Sequence, residues 1–206
     1  MIAMSESSIP QLLSHLPESQ DHVTIVNPST GKKIYDLPQL SVGQVAKAVA
    51  DARMAQPAFA AIPVKERAKA LGLLHDLLAK NQDNVMDLLQ LETGKSRAHA
   101  FEEVAGSLGS ARYFAKTAPK VLKKQITNSG VPFVTRSYVT YSPVGVVGVI
   151  TPWNYPLALQ MLDVLPALAA GNTVVLKPSD TTPVSTLWMA ELMQEFLPEP
   201  AQLLLN

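Results

Sequence analysis

"VGVVGVITPWNYP", residues 144–156, sets a run of small and branched apolar residues against a turn holding Trp153 and Asn154 between two prolines. The run has no polar alternation, which is the pattern of a strand covered on both faces, and parallel sheets bury strands in that way. Working outward, "LALQMLDVLPALAAG" (157–171) reads as a helix stopped by Gly171, and "NTVVLKP" (172–178) as a second buried strand. Thr182 and Pro183 then open a helix through about Phe196. The order strand, helix, strand, helix predicts a right-handed parallel crossover, half of a doubly wound sheet. Ligands of such sheets bind beyond the carboxyl ends of the strands, so the turns "TPWNYP" and "KPSD" should be neighbours on one rim.

Upstream the pattern is helical. "TIVNPSTGKKIYDLPQLS" (24–41) predicts a hairpin around Asn-Pro-Ser-Thr-Gly. Ser41 and Gln44 form a capping box that starts a helix with Val42, Val45, Val49 and Ala52. Pro63 suits the first turn of a second helix, carrying Leu71, Leu74, Leu77 and Leu78. Asn81 can cap a third, with Val85, Leu88 and Leu89, which Gly94 ends in the left-handed conformation. A fourth should run from about Ser96 to Thr117. "VPFVTRSYVTYSP" (131–143) alternates and reads as an exposed strand or arm. Residues 1–20 are polar with scattered Ser and Pro, and read as a mobile tail.

Composition narrows the function classes. At 206 residues and 47% hydrophobic content the chain can fill one good core or two small ones. Seventeen basic residues balance seventeen acidic ones, so no global field invites nucleic acid or an anionic membrane surface. The N-terminus lacks the basic flank and unbroken apolar stretch of a signal peptide. Pro152, Pro156, Asp163 and Pro166 interrupt the most apolar region. These features predict a cytoplasmic protein without a membrane span. There is no cysteine, so disulfides and thiolate chemistry are excluded within this chain, and four scattered histidines offer no metal-ligand spacing.

Residue by residue, the rim is the place for chemistry. Asn and Pro are ordinary turn residues, yet a turn needs neither the indole nor two flanking prolines. An amide donor fixed at a strand end can stabilise a developing oxyanion, worth about 3–4 kcal/mol. Lys177 and Asp180 beside Ser179 can hold ribose hydroxyls or a phosphate; by spacing alone, a surface lysine beside an Asp or Thr helix cap is the plainer reading. "GKSRAHAFEE" (94–103) lacks the upstream glycine and strand of a phosphate loop and reads as a helix stop and a surface helix. No G-x-G-x-x-G is present. His15, His22, His75 and His99 read as structural or solvent-facing. Glu102 and Glu103 suit a solvated face, and Met54, Met86, Met161 and Met189 core filler.

At "PVGVVGVITPWNYPLALQ" (143–160), "PALAAGNTVVLKPSDTTP" (166–183) and "LETGKS" (91–96) the sequence resembles the aldehyde dehydrogenase superfamily, from about Thr24 to the last residue. The resemblance implies the family's N-terminal half: an incomplete NAD(P)-binding domain over 21–124 and 144–206, with a helical preface, and an oligomerisation arm over 125–143. It implies hydride transfer to NADP or NAD after a cysteine attacks a small aldehyde, and a homo-oligomer joined through the arm. Asn154 matches the oxyanion-hole asparagine. Ile150, Thr151, Pro152 and Trp153 match the strand end along the cofactor, and Lys177, Pro178, Ser179 and Asp180 match its adenosine-ribose clamp, which favours cofactor contact for Lys177.

The departures are as informative. The family's nucleophilic cysteine, general-base glutamate and second cofactor loop belong to a C-terminal half that this chain lacks. Asp180 stands where NAD-preferring members commonly have Glu, and the shorter side chain leaves room for a 2′-phosphate between Ser179 and Lys177, a lean to NADP. Asp163 replaces a frequent Lys. The wider sequence is most similar to bacterial succinate-semialdehyde dehydrogenases, although Leu162 stands where those enzymes carry a substrate-binding Arg. Three expectations follow: the N-terminal part of an NAD(P)-dependent aldehyde dehydrogenase, a truncated and inert partner of full-length subunits, or a stand-alone nucleotide-binding module. The ending "PAQLLLN", inside an apolar run, favours the first.

Overall fold

A computed structural model describes Ile9, Leu16 and residues 18–131, 133–194 and 201–203. The first strands, β1 (His22–Val26) and β2 (Lys33–Pro38), pair antiparallel as the expected hairpin. Its turn is held by Asn27, whose Oδ1 accepts from the backbone N–H groups of Ser29 and Thr30. Four helices follow: α1 (Val42–Ala61), α2 (Val64–Lys80), α3 (Gln82–Thr93) and α4 (Arg97–Val121). A small hairpin, β3 (Gln125–Thr127) with β4 (Ser137–Val139), separates them from the rest. The chain then forms β5 (Val146–Ile150), α5 (Pro156–Ala169), β6 (Thr173–Lys177), α6 (Val184–Gln194) and β7 (Ala201–Leu203).

Strands β5, β6 and β7 lie side by side and parallel, in that order. Alternation along β6 assigns the two faces. Val174 and Leu176 enter the main core with residues of α5 and α6, such as Leu157, Leu165 and Trp188. Val175 points the other way, onto Ala48 and Ala52 of α1. The sheet is therefore sandwiched between α1 on one face and its crossover helices on the other. The small alanines let α1 approach closely enough for Thr173 Oγ1 to donate to the Ala52 carbonyl at 2.9 Å. Leu71, Leu78, Leu89, Leu157, Leu165 and Leu168 are all buried in the main core, each contributing roughly 1.5–3 kcal/mol relative to exposure.

Several expectations are corrected. Strand β5 is not covered on both faces: Val149 is buried, but Gly148 and Ile150 are exposed. Among the described residues β5 has β6 as its one neighbour; Val146 at its start packs with Ala48 and Ala52 of α1, and that face opens only toward the strand's end, at Gly148 and Ile150. Pro63 precedes α2 as its cap residue rather than entering the first turn. Asn81 does not cap α3 with its side chain; its Nδ2 donates back to the Leu77 carbonyl and closes α2. Helix α4 runs on to Val121, past the expected end at Thr117. Met54 is exposed, whereas Met86, Met161 and Met189 are core residues. Most of the tail lies outside the described residues, but Ile9 is buried and Leu16 packs against the core, so those points of the tail are docked. The stretch toward Phe196 and His15 also lie outside the described residues.

Gly94 and Gly171 do end helices, at φ values of +70° and +92°. Buried Arg67 donates to the carbonyls of Ala169, Ala60 and Ile62, which ties the last turns of α5 and α1 together. No helix among the described residues is long and apolar enough to cross a membrane.

Candidate active-site rim

The strand ladder ends at the pair Ile150 and Lys177, and one further bond, Thr151 N–H to the Lys177 carbonyl at 3.1 Å, ties the two turns together. Thr182 Oγ1 also donates to the Trp153 carbonyl at 3.4 Å. The turns 151–155 and 178–182 are thus neighbours at the carboxyl ends of β5 and β6, as the pattern predicts. Ile150 and Trp153 present apolar surface, 79% and 63% exposed. Lys177 Nζ donates to Asp180 Oδ1 at 3.0 Å and to the Pro178 carbonyl at 3.2 Å, while Ser179 shares a hydrogen bond with Thr181. Thr151 is buried, whereas Pro152 and Asn154 are exposed.

The Asn154 side chain makes no hydrogen bond among the described residues, so its amide is available to a ligand. Its backbone is held: Lys95 Nζ donates to the Asn154 carbonyl at 3.0 Å. The same ammonium pairs with Glu103 and lies 4.6 Å from the Tyr155 ring centroid. Glu103 Oε1 accepts from the first N–H groups of α5, Leu157 at 2.8 Å and Ala158 at 3.1 Å. A second carboxylate does the equivalent for α6. Glu92 accepts from Val184 N–H at 2.8 Å and Ser185 N–H at 3.1 Å. Burial pushes the Glu92 pKa up to about 7, against the pull of those hydrogen bonds. Neither Asp180 nor Thr182 fills that capping place.

Sequence reasoning missed both carboxylates, and it misread Glu103 as part of a solvated face. Each lies far along the chain from the helix it caps, so no local spacing could signal it. The surface-helix reading of "GKSRAHAFEE" needs the same correction at Lys95 and Glu103, although Gly94 stops α3 as expected. A groove of ≈ 670 Å³ between α2 and α4, lined by Lys65, Lys69, Leu73, Arg112 and Lys116 among others, includes no rim residue.

Open parallel α/β sheets hold their ligands beyond the carboxyl ends of the strands, where these two turns gather their polar groups. The chain belongs to the aldehyde dehydrogenase family, whose sequence profile matches residues 15–204. A Mycolicibacterium smegmatis protein named as a candidate NADP(+) succinate-semialdehyde dehydrogenase is 46% identical over 166 residues, covering 81% of this chain and 32% of that protein. The Pseudomonas aeruginosa glutarate-semialdehyde dehydrogenase is 37% identical over 172 residues, 84% of this chain and 35% of the enzyme. The crystal structure of an aldehyde dehydrogenase from Brucella melitensis biovar abortus 2308 superposes with a TM-score of 0.88 at 29% identity, over 100% of this chain and 44% of that one. The chain therefore spans about a third of the length of the curated relatives it matches.

Proposed function

We propose that this chain is the N-terminal part of an NAD(P)-dependent aldehyde dehydrogenase that oxidises a short semialdehyde, such as succinate semialdehyde, with NADP preferred. The observation that carries the reading is the rim: Asn154, with a free amide and a clamped carbonyl, lies in the turn whose Thr151 N–H donates to the Lys177 carbonyl at the start of the Lys177–Asp180 turn. The donor set fits a dinucleotide. Ile150 and Trp153 offer exposed apolar surface along the strand end, and Lys177 and Ser179 offer a cation and a hydroxyl for a ribose 2′-phosphate. Asp180 offers an acceptor for a ribose hydroxyl. When bound, the nicotinamide accepts the hydride.

The role of this chain is to bind and orient. Asn154 Nδ2 donates to the aldehyde oxygen as negative charge develops there, an interaction worth about 3–4 kcal/mol when its removal costs rate. The nucleophile must come from elsewhere, because the chain has no cysteine. Leu162 stands on α5 half-exposed, so a substrate carboxylate finds no cation at that position. The hairpin β3–β4, with exposed Ile126 and Tyr138, is proposed as the oligomerisation arm.

The test is the intact mass of the natural protein, captured from its source cells with an antibody to residues 41–60, followed by an assay for NADPH formation. A species more than twice this chain's 22.2 kDa that forms NADPH from succinate semialdehyde supports the reading. A species of 22.2 kDa without activity overturns it. That result would favour a truncated partner of full-length subunits, which the open edge of β5 suits. Thermal stabilisation by NADP, lost in Lys177→Ala, checks the clamp separately.

A further inference from the structure

We propose that Lys95 and Glu103 form a positioning pair that aims the Asn154 amide, so that the α3–α4 turn sets the geometry of the strand-end turn. The inference rests on the reading of Asn154 as oxyanion donor. Beyond Ile150 the strand ladder gives out, and residues 152–155 are exposed. Tyr155 precedes α5 without a side-chain cap. What fixes Asn154 therefore comes from outside its own segment. Its carbonyl is taken by Lys95, and the helix that begins two residues later is taken by Glu103 through Leu157 and Ala158. Both anchors belong to one ion pair with side chains 11% and 0% exposed.

The second helix start supplies an internal comparison. Glu92 caps α6 through two N–H groups just as Glu103 caps α5, yet no cation pairs with Glu92 among the described residues. Capping thus needs only the carboxylate. The lysine at the α5 start does something more: it reaches the Asn154 carbonyl at 3.0 Å and lies over the Tyr155 ring. Its donors are spent on these groups and on Glu103, so it is a fixed part and not a mobile reactant. The Lys95 ammonium touches the backbone of Asn154 and the Tyr155 ring, not the Asn154 amide, which makes it a positioning residue.

The experiment compares the ¹⁵N-labelled 206-residue chain with Lys95→Met, Lys95→Arg and Lys95→Gln, reading the side-chain amide resonances of Asn154, identified by their loss in Asn154→Ala. Lys95→Met should shift or broaden the Asn154 side-chain pair, and Lys95→Arg, which restores a cationic donor, should return it. Unmoved Asn154 side-chain resonances, with changes confined to the Leu157 and Ala158 amides, would mean a helix cap and nothing else, and the proposal falls. If Lys95→Met does not fold, Lys95→Gln makes the same comparison with a shorter neutral donor. In the longer protein proposed above, Lys95→Met should lower kcat roughly ten- to a hundred-fold while leaving the KM for NADP unchanged. An unchanged kcat would also overturn it. If the parent oxidises no aldehyde, the oxyanion reading fails, and the resonance comparison still decides whether the pair aims Asn154.

Discussion

Gly94 carries more than a helix stop. A Cβ built there would lie 3.0 Å from Pro28 Cγ and 3.2 Å from Ser29 Oγ, at a φ of +70°. The β1–β2 turn thus packs directly on the turn that delivers Lys95. Gly94→Ala combines left-handed strain with a steric clash and should cost about 1–3 kcal/mol, measured as a lower urea midpoint at unchanged slope. The left-handed requirement was legible from "TGKS", but the approach of Pro28 was not, since residues 28 and 94 meet only in the folded chain. Tyr35 makes a similar point. Its hydroxyl is buried without a hydrogen-bond partner among the described residues, and burial together with the Glu92 charge raises its pKa. Tyr35→Phe removes that unpaired group and should leave the melting temperature equal or higher by thermal denaturation.

Among elements, helix starts divide into two kinds. At α1 the capping box is local: Ser41 Oγ accepts from Gln44 N–H, and Gln44 Oε1 accepts from Ser41 N–H at 2.8 Å. Four residues of sequence suffice to read it. At α5 and α6 the caps are glutamates from other helices, which sequence spacing cannot reveal. The α6 cap has a pH consequence. A Glu92 carboxyl ionises near its ordinary value of 4.5 in the unfolded chain but near 7 in the folded one, with the Glu103 charge adding to the burial penalty. Between those values the folded state binds more protons, so the stability linked to this group is full below about 4.5 and falls as pH rises to about 7. The loss is at most about 3 kcal/mol. Urea unfolding at pH 5, 6 and 7 should show that decline in the parent and a flatter profile in Glu92→Gln; equal profiles would place the titration elsewhere.

At the scale of the molecule, the sheet among the described residues runs β5–β6–β7 and so ends in edges at β5 and β7. Strand β5 leaves Ile150 and Gly148 exposed on an edge that no strand pairs among the described residues. Such an edge is a template for another chain. The isolated chain should self-associate with rising concentration in analytical ultracentrifugation. Gly148→Lys, at a position where a new Cβ meets nothing within 4 Å, should suppress it. Association unaffected by that charge would point to another surface, such as the exposed side chains of β3–β4.

The sequence by itself determined the first hairpin, the four helices after it and the β5–α5–β6–α6 order, the Gly94 and Gly171 stops, the parallel pairing of β5 with β6 and the neighbourhood of their two turns, but not β7 or the pairing of β3 with β4. These follow from short-range periodicity and backbone conformation, which a few adjacent residues impose. Tertiary structure alone decided the rest. Glu103 became a buried cap rather than a solvated side chain because α4 packs against the start of α5, and Lys95 found Asn154 because Gly94 turns the chain over the rim. Strand β5 kept an exposed face because coverage depends on which elements lie beside a strand, and apolar composition can demand a neighbour without supplying one.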